Sequence, residues 1–303
     1  MAFEVLILGN GSATPVHNRH PSSQLINHRH RFFLIDCGEG TQLRLIKHNI
    51  KTHKIQDIFI SHLHGDHYFG LAGLLSSMNL AGRKQPLTVY GPKGLQEILE
   101  LQFFYADSRI SFPLHFKETT PKAEELLLET ENIKVFSFPL QHRIPCTGFR
   151  FEEKQKEPNL IKDKIEELKI PVEALADIKK GRGYTDLSGQ YYTHEELTTP
   201  PVPPRSYAYC SDTRVDASYF PFIQNVSTLY HEATFLDELK ERAKTTRHST
   251  AKEAAEVAKT VNAGKLLIGH YSSRYKEIDS FLIETQAVFP NTILSKEGIT
   301  YEV

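Results

Sequence analysis

Apolar and polar positions alternate in short runs along the first 60 residues, broken by turn signals. Phe3–Leu8 is apolar and branched, and Gly9-Asn10-Gly11 ends it. Ser23–Ile26 and Arg31–Ile35 read as further strands, followed by the loop Asp36-Cys37-Gly38-Glu39-Gly40. From Thr41 to His48 the spacing becomes helical, with Leu43, Ile46 and Ile50 apolar. Asp57–Ser61 reads as a strand that runs into His62, and Tyr68–Leu80 as a buried helix. Leu87–Tyr90 then predicts a strand, Gly94–Tyr105 a helix, and Ile133–Phe138 and Gly148–Phe151 two more strands.

The pattern changes at Glu152. Residues 152–199 are polar and charged, with helical spacing at Ile161–Leu168 and a glycine turn at Gly181-Arg182-Gly183. Pro200-Pro201-Val202-Pro203-Pro204 closes the stretch as a stiff return. So long a structureless loop is improbable in a compact core, so 152–204 is expected to be an inserted surface arm on a single domain spanning 1–303. Strands then resume. Tyr207–Cys210 leads to Ser211-Asp212-Thr213, Ser227–Tyr230 to His231-Glu232, and Leu266–Gly269 to His270. Between them Ser249 or Thr250 caps a helix through Lys259, with Glu253 in its first turn. Alternation of strands and helices in both halves gives an α/β class.

Charge narrows the function. With 36 Lys and Arg against 37 Asp and Glu, bulk attraction to nucleic acid is excluded, and a polyanion partner must be held by a local patch. No window approaches the apolar length of a membrane span, and the first residues lack a signal-peptide pattern. The three cysteines, Cys37, Cys146 and Cys210, form no Cys-x-x-Cys pair and read as reduced thiols of a cytoplasmic protein. Histidine is the outlier, at 15 residues with no tryptophan. That abundance raises the question of metal.

The segment Ser61-His62-Leu63-His64-Gly65-Asp66-His67 answers it. His62 and His64 leave a strand two positions apart and face the same way. Gly65 allows a tight turn, and Asp66 and His67 enter the next helix. Two imidazoles at one point, and a carboxylate with an imidazole at another, suit two ions about 3.5–4 Å apart. Two surface histidines beside a helix cap would be the plain alternative, but four ligand-type residues within six positions disfavour it. So short a segment cannot close two coordination spheres. His142, Asp212 and His270 each follow a strand, where open α/β sheets build their sites. Asp212 has two oxygens and is the natural bridge. Nitrogen and oxygen donors without thiolate suit zinc, with manganese as the alternative.

His62-x-His64-x-Asp66-His67 resembles the signature of the metallo-β-lactamase superfamily. Within it the chain resembles the ribonuclease Z family over nearly its whole length. Gly9–Pro15, Phe138-Pro139-Leu140-x-His142, Ser211-Asp212-Thr213 and Gly269-His270 match that family's loops. His231-Glu232-Ala233-Thr234 and Arg247-His248-Ser249-Thr250 are its more specific motifs. The resemblance implies an αβ/βα four-layer sandwich with a protruding arm and two zinc ions per chain. His62, His64 and His142 would hold the first, Asp66, His67 and His270 the second, and Asp212 both. It further implies endonucleolytic removal of the 3′ trailer from precursor tRNA by metal-activated hydroxide, with a 3′-hydroxyl left on the tRNA. Asp66 would accept a proton, His248 would stabilise the transition state or protonate the leaving oxygen, Glu232 would orient His248, and His231 would support them. A homodimer is implied, and no DNA or membrane partner.

The arm is the candidate tRNA exosite. Residues 151–183 carry eight basic and eight acidic side chains, so that stretch is neutral, but its tip Lys179-Lys180-Gly181-Arg182 is basic. Many family members carry a Gly-Pro-rich tip, where this chain reads Ile170-Pro171-Val172-Glu173-Ala174-Leu175. Arg19, His20 and Ser22 are candidates for lining the substrate cleft. Competing readings are a hydrolase of a small phosphodiester, thioester or lactone, and a non-catalytic RNA-binding module.

Overall fold

Strands buried on both faces need near-continuous apolar runs, and Phe3–Gly9 is such a run, with only Glu4 half-exposed. The structure, a computed structural model, describes residues 2–16 and 18–303. It divides into two compact units. One comprises residues 1–130, 134–151 and 206–303, and the other residues 131–133 and 152–205.

The larger unit is built on two sheets of seven strands each. The first runs Thr300–Glu302, Phe3–Gly9, Ser23–His28, Arg31–Ile35, Ile55–Phe59, Leu87–Gly91, Leu114–Glu118 from edge to edge. It is antiparallel up to Arg31–Ile35 and parallel beyond. The second runs Thr292–Leu294, Lys265–Gly269, Thr228–Glu232, Ser206–Cys210, Cys146–Glu153, Ile133–Leu140, Glu125–Glu129. Its first four strands are parallel.

Aromatic rings join the sheets face to face. Phe59 meets Phe149 and Phe151 at centroid distances of 5.4 and 5.5 Å, and Phe33 meets Phe151 at 5.5 Å. On the outer faces lie helices. Leu74, Leu75 and Met78 of Leu71–Leu80 pack with Leu8, Leu34 and Ile58 of the first sheet. Ala254, Ala255 and Ala258 of Ala251–Thr260 pack with Ala208, Leu229 and Leu266 of the second. Thr250 begins that helix with a capping box to Glu253, as the sequence predicts. This helix–sheet–sheet–helix layering is the expected sandwich.

The long helix expected over Tyr68–Leu80 is divided into Gly65–Tyr68 and Leu71–Leu80. At the break, Gly70 donates its N–H to the Cys37 carbonyl at 2.9 Å. A Cβ at Gly70 would lie 2.2 Å from the Gly38 carbonyl oxygen, so only glycine allows this close crossing. The division fixes the turn that presents Asp66 and His67.

The second unit has its own apolar centre of Ile170, Ile178 and Leu197, with Leu160, Ile165, Leu168 and Leu175 packed around it. Helices Lys162–Glu167, Val172–Lys179 and His194–Leu197 build it, with a small hairpin of Tyr184–Thr185 and Tyr191–Tyr192 and a second short antiparallel pair of Asn159–Leu160 and Thr198–Thr199. Val172–Lys179 had no sequence expectation, because its spacing is masked by the preceding proline, which serves as the cap. No helix among the described residues is long and apolar enough to cross a membrane.

Candidate metal centre

Four chain segments, one leaving the first sheet and three leaving the second, bring the sequence-predicted ligands together. His62 follows Ile55–Phe59, His142 follows Ile133–Leu140, Asp212 follows Ser206–Cys210, and His270 follows Lys265–Gly269. Asp36, Asp212 and His270 take left-handed backbone conformations, with φ of 53°, 31° and 62°. Such a conformation costs a non-glycine residue about 1–2 kcal/mol, and strain of this kind clusters at functional sites.

Asp212 lies at the centre. Its Oδ2 faces His62 Nε2 at 3.5 Å and His142 Nε2 at 3.7 Å. Its Oδ1 faces His270 Nε2 at 3.0 Å and His67 Nε2 at 3.2 Å. His64 Nδ1 completes the first group, 3.1 Å from His62 Nε2 and 3.2 Å from His142 Nε2. Asp66 Oδ2 completes the second, 3.5 Å from His67 Nε2 and 3.6 Å from His270 Nε2. The two groups, His62-His64-His142-Asp212 and Asp66-His67-His270, each converge within 4.8 Å. One carboxylate therefore serves two adjacent sets of donors.

The outer ring nitrogens are committed elsewhere. His67 Nδ1 is 2.7 Å from Asp36 Oδ2, His270 Nδ1 is 2.9 Å from Thr234 Oγ1, and His142 Nδ1 is 3.1 Å from the Arg247 carbonyl. His62 Nδ1 is 3.0 Å from Ser61 Oγ. Each anchor leaves the inner nitrogen for the convergence point, the arrangement a metal-binding histidine needs. His67 Nε2 and His270 Nε2 are buried and face the Asp66 and Asp212 carboxylates without a well-aligned hydrogen bond. The donor set and these unsatisfied nitrogens fit divalent metal ions.

Electrostatics differ between the groups. Burial pushes His62, His64 and His142 below the ordinary imidazole value, His142 to about 4. Burial opposes charge on His67 and His270 too, but the Asp212 and Asp66 carboxylates outweigh it. Both are raised, His270 to about 10. Burial likewise opposes charge on Asp66 and Asp212, yet the facing imidazoles hold both well below the carboxylate range.

His248 stands beside this cluster. Its ring centroid is 5.1 Å from that of His142 and 5.4 Å from that of His270. His248 Nδ1 is 2.9 Å from Glu232 Oε1. Glu232 is fully buried and also accepts from the Thr213 and Ser249 N–H groups and the Thr234 hydroxyl. Burial lowers the His248 pKa, but the Glu232 carboxylate and its hydrogen bond bring it above the ordinary value. A cleft of about 400 Å³ opens over the cluster, lined by Ser12, Ala13, Arg143, Asp66, Asp212 and His248 among others.

A protein-family model described as Anti-Pycsar protein Apyc1 matches residues 3–155. Over the whole chain the likeness is to other proteins. "Ribonuclease Z" of Cytophaga hutchinsonii is 47% identical over 304 residues, covering 100% of this chain and 97% of that one. "Ribonuclease Z" of Porphyromonas gingivalis strain W83 is 46% identical over 302 residues, covering 100% and 99%. The crystal structure of the short form of human tRNase Z matches with a TM-score of 0.72 and 27% identity, covering 99% of each chain. The chain belongs to the ribonuclease Z family. The Apyc1 match ends before Asp212, Glu232, His248 and His270, so it includes five of the seven candidate ligands and lacks Asp212 and His270.

The ribonuclease Z motifs do not all reach the cluster. His231 turns away from Glu232 along the strand, as alternation demands, and its Nε2 meets the Tyr219 hydroxyl at 2.9 Å. Arg19 is bound to the carbonyls of Ser272, Tyr275 and Lys276, and His20 pairs with Glu297. Ser22 is buried. None of the three lines the cleft described above; the first loop contributes Ser12–Pro15 and Pro21. Cys37, Cys146 and Cys210 are buried, free thiols. In the second unit Lys179 and Lys180 end the helix Val172–Lys179, while Arg182 is ion-paired with Asp177 at 3.0 Å.

Sequence reasoning did not single out Asp36, Thr234 or Arg143 for the site. Asp36 opens the Asp-Cys-Gly loop, read as a turn. Thr234 lies inside a motif whose charged members drew the reading. A lone arginine after His142 carries no spacing signal.

Proposed function

We propose that this ribonuclease Z family member is a metal-dependent endoribonuclease that removes the 3′ trailer from precursor tRNA and leaves a 3′-hydroxyl. The observation that carries the reading is Asp212, one carboxylate with a donor group facing each of its oxygens, beside the Glu232–His248 pair. His62, His64 and His142 with Asp212 would hold one ion, and Asp66, His67 and His270 with Asp212 the other. Zinc suits these donors best, with manganese as the alternative. Bound there, the ions supply Lewis acidity toward the phosphoryl oxygens and a water of lowered pKa.

The chain's own residues do the rest. Asp66 Oδ2 is held by the Ala13 N–H at 2.8 Å and is placed to take the proton of the attacking water. Protonated His248, its Nδ1 anchored on Glu232, offers Nε2 to the cleft and gives its proton to the leaving 3′-oxygen. The P–O3′ bond breaks, and the trailer departs with a 5′-phosphate. Arg143 is placed at the cleft to hold a phosphate. Residues 152–204, the smaller unit's main segment, serve as the tRNA exosite, through Lys179 and Lys180 with Arg182. The family resemblance supports a homodimer, which light scattering of the purified protein would test.

Incubating the purified protein with end-labelled precursor tRNA, with and without chelator, tests the reading. One cut at the mature 3′ end, abolished by chelator and restored by zinc or manganese, supports it. Cleavage of a small phosphodiester but no precursor tRNA would favour the small-substrate reading instead.

A further inference from the structure

Three loops of the metal centre are tied to one another by hydrogen bonds. The Gln141 N–H donates to Thr213 Oγ1 at 3.0 Å and the Arg214 N–H to the Gln141 carbonyl at 3.1 Å, which joins the His142 loop to the Asp212 loop. Ser249 Oγ donates to the Thr213 carbonyl at 2.7 Å, which joins the Asp212 loop to the His248 loop. The direct link between the His142 and His248 loops is Arg247.

Arg247 grips His142 at two points. His142 Nδ1 lies 3.1 Å from the Arg247 carbonyl, and Arg247 Nη1 donates to the His142 carbonyl at 2.7 Å. The two bonds run in opposite senses and fix both the ring and the backbone of His142 against the residue that precedes His248. Arg247 has a φ of 58°, a left-handed conformation that glycine adopts readily and arginine does not. It ends the helix Lys240–Thr246, and the His248 N–H reaches back to the Ala243 carbonyl at 2.8 Å. Glycine is the commonest residue at a helix end of this kind. The bond to the His142 carbonyl is what an arginine adds there.

We infer that Arg247 is a positioning residue for the reaction: its guanidinium sets His248 relative to the first group of ligands, so that the proton donor meets the leaving 3′-oxygen of a phosphate held there. The inference rests on the functional reading above and deepens it. The His142 and His248 ring centroids lie 5.1 Å apart. Glu232 anchors His248 through Nδ1, a contact that does not involve His142. Arg247 supplies the direct tie between the two. Any Arg247 variant keeps the backbone carbonyl that holds His142 Nδ1, so loss of the guanidinium should spare ligation and cost alignment. A misplacement of about 1 Å between reacting groups costs on the order of 10²-fold in rate.

Metal-loaded wild type, Arg247→Gly, Arg247→Lys and His248→Ala are compared by kcat, KM, bound zinc and melting temperature. Two precursor tRNAs are used, one natural and one with sulfur replacing the bridging 3′-oxygen at the scissile phosphate. On the natural substrate Arg247→Gly should lower kcat about 10- to 100-fold, with KM changed less than about threefold. Its zinc content should be unchanged and its melting temperature not lowered, since glycine relieves the left-handed backbone. Arg247→Lys, which keeps a donor, should lose less. A thiolate leaves without being protonated, so on the sulfur substrate Arg247→Gly and His248→Ala should both cut within about threefold of the wild-type rate. An unchanged kcat on the natural substrate, or a rise in KM alone, overturns the inference, because the guanidinium is then idle or holds substrate. A loss that follows a fallen melting temperature or zinc content overturns it as well. If sulfur restores His248→Ala but not Arg247→Gly, the inference falls alone. If sulfur does not restore His248→Ala, His248 is not the proton donor, and the inference falls with that reading.

Discussion

Asp36 Oδ2 lies 2.7 Å from His67 Nδ1, and neither side chain is exposed to solvent. The same carboxylate accepts from the Ser61 N–H at 2.8 Å, the Ser61 hydroxyl at 2.9 Å and the Tyr209 hydroxyl at 2.7 Å. Tyr209 comes from the opposite sheet, so Asp36 ties the sheets together and fixes the His67 ring in one step. Asp36→Asn keeps the volume but places an amide where acceptors are needed. Metal affinity should fall about 10- to 100-fold, the usual effect of removing such a partner. Competition with a chromogenic chelator measures it; unchanged affinity would mean that His67 is oriented by other contacts.

His248 and Glu232 give a pH-dependent prediction. Glu232 raises the His248 pKa; in the proposed mechanism His248 acts in its protonated form, so activity should fall as pH rises through that value. Glu232→Gln removes the raising charge, and the falling limb of the pH–rate profile should move to lower pH. His248→Ala should lower kcat about 10²- to 10⁴-fold with metal content unchanged. A pH profile unmoved in Glu232→Gln would detach Glu232 from the reaction.

Metal binding should release protons. In the metal-free protein His67 and His270 are raised, His270 to about 10, and both must be neutral to ligate. Their protons compete with the ion at low pH, so apparent affinity should rise from pH 6 to pH 9. Calorimetry in buffers of different ionisation enthalpy would count the protons released. Since His62, His64 and His142 are already held below the ordinary imidazole value, the proton release belongs to the second group.

Deleting about residues 155–198, bridged by a short Gly/Ser linker, should leave the candidate metal cluster intact, since every candidate ligand lies outside the segment. The segment's two ends stay tied, because Glu153 accepts from Arg205 Nε at 3.1 Å and from its outer guanidinium nitrogen at 3.0 Å. Cleavage of precursor tRNA should collapse, while any turnover of a small chromogenic phosphodiester survives. Neutralising Lys179, Lys180 and Arg182 should reproduce part of the loss and flatten the salt dependence of tRNA binding. Arg182 should contribute least, being paired with Asp177. Equal loss on both substrates would make the segment a support of the fold.

The metal-ligand candidates were legible because the chemistry is local. His62, His64, Asp66 and His67 sit within one short turn, and His142, Asp212 and His270 each follow an apolar strand that ends where ligands belong. The strand Phe3–Gly9 and the helix Ala251–Thr260 were legible for the same reason: a continuous apolar run, and a cap with its glutamate. Asp36 was not, since its role comes from Ser61, His67 and Tyr209, up to 173 residues away in the chain. The break at Gly70 was not, since it depends on the Gly38 backbone crossing there. Edge strands such as Leu114–Glu118 were missed because half-exposed positions blur the alternation.

The central claim is a paired metal centre that drives cleavage. The most direct measurement adds zinc stepwise to chelator-treated protein while bound metal and cleavage of precursor tRNA are followed in the same samples. The structure predicts saturation at two ions per chain, with activity reaching its plateau as the second ion binds and absent from Asp212→Ala. Full activity at one ion per chain, or cleavage that persists without metal, would contradict it.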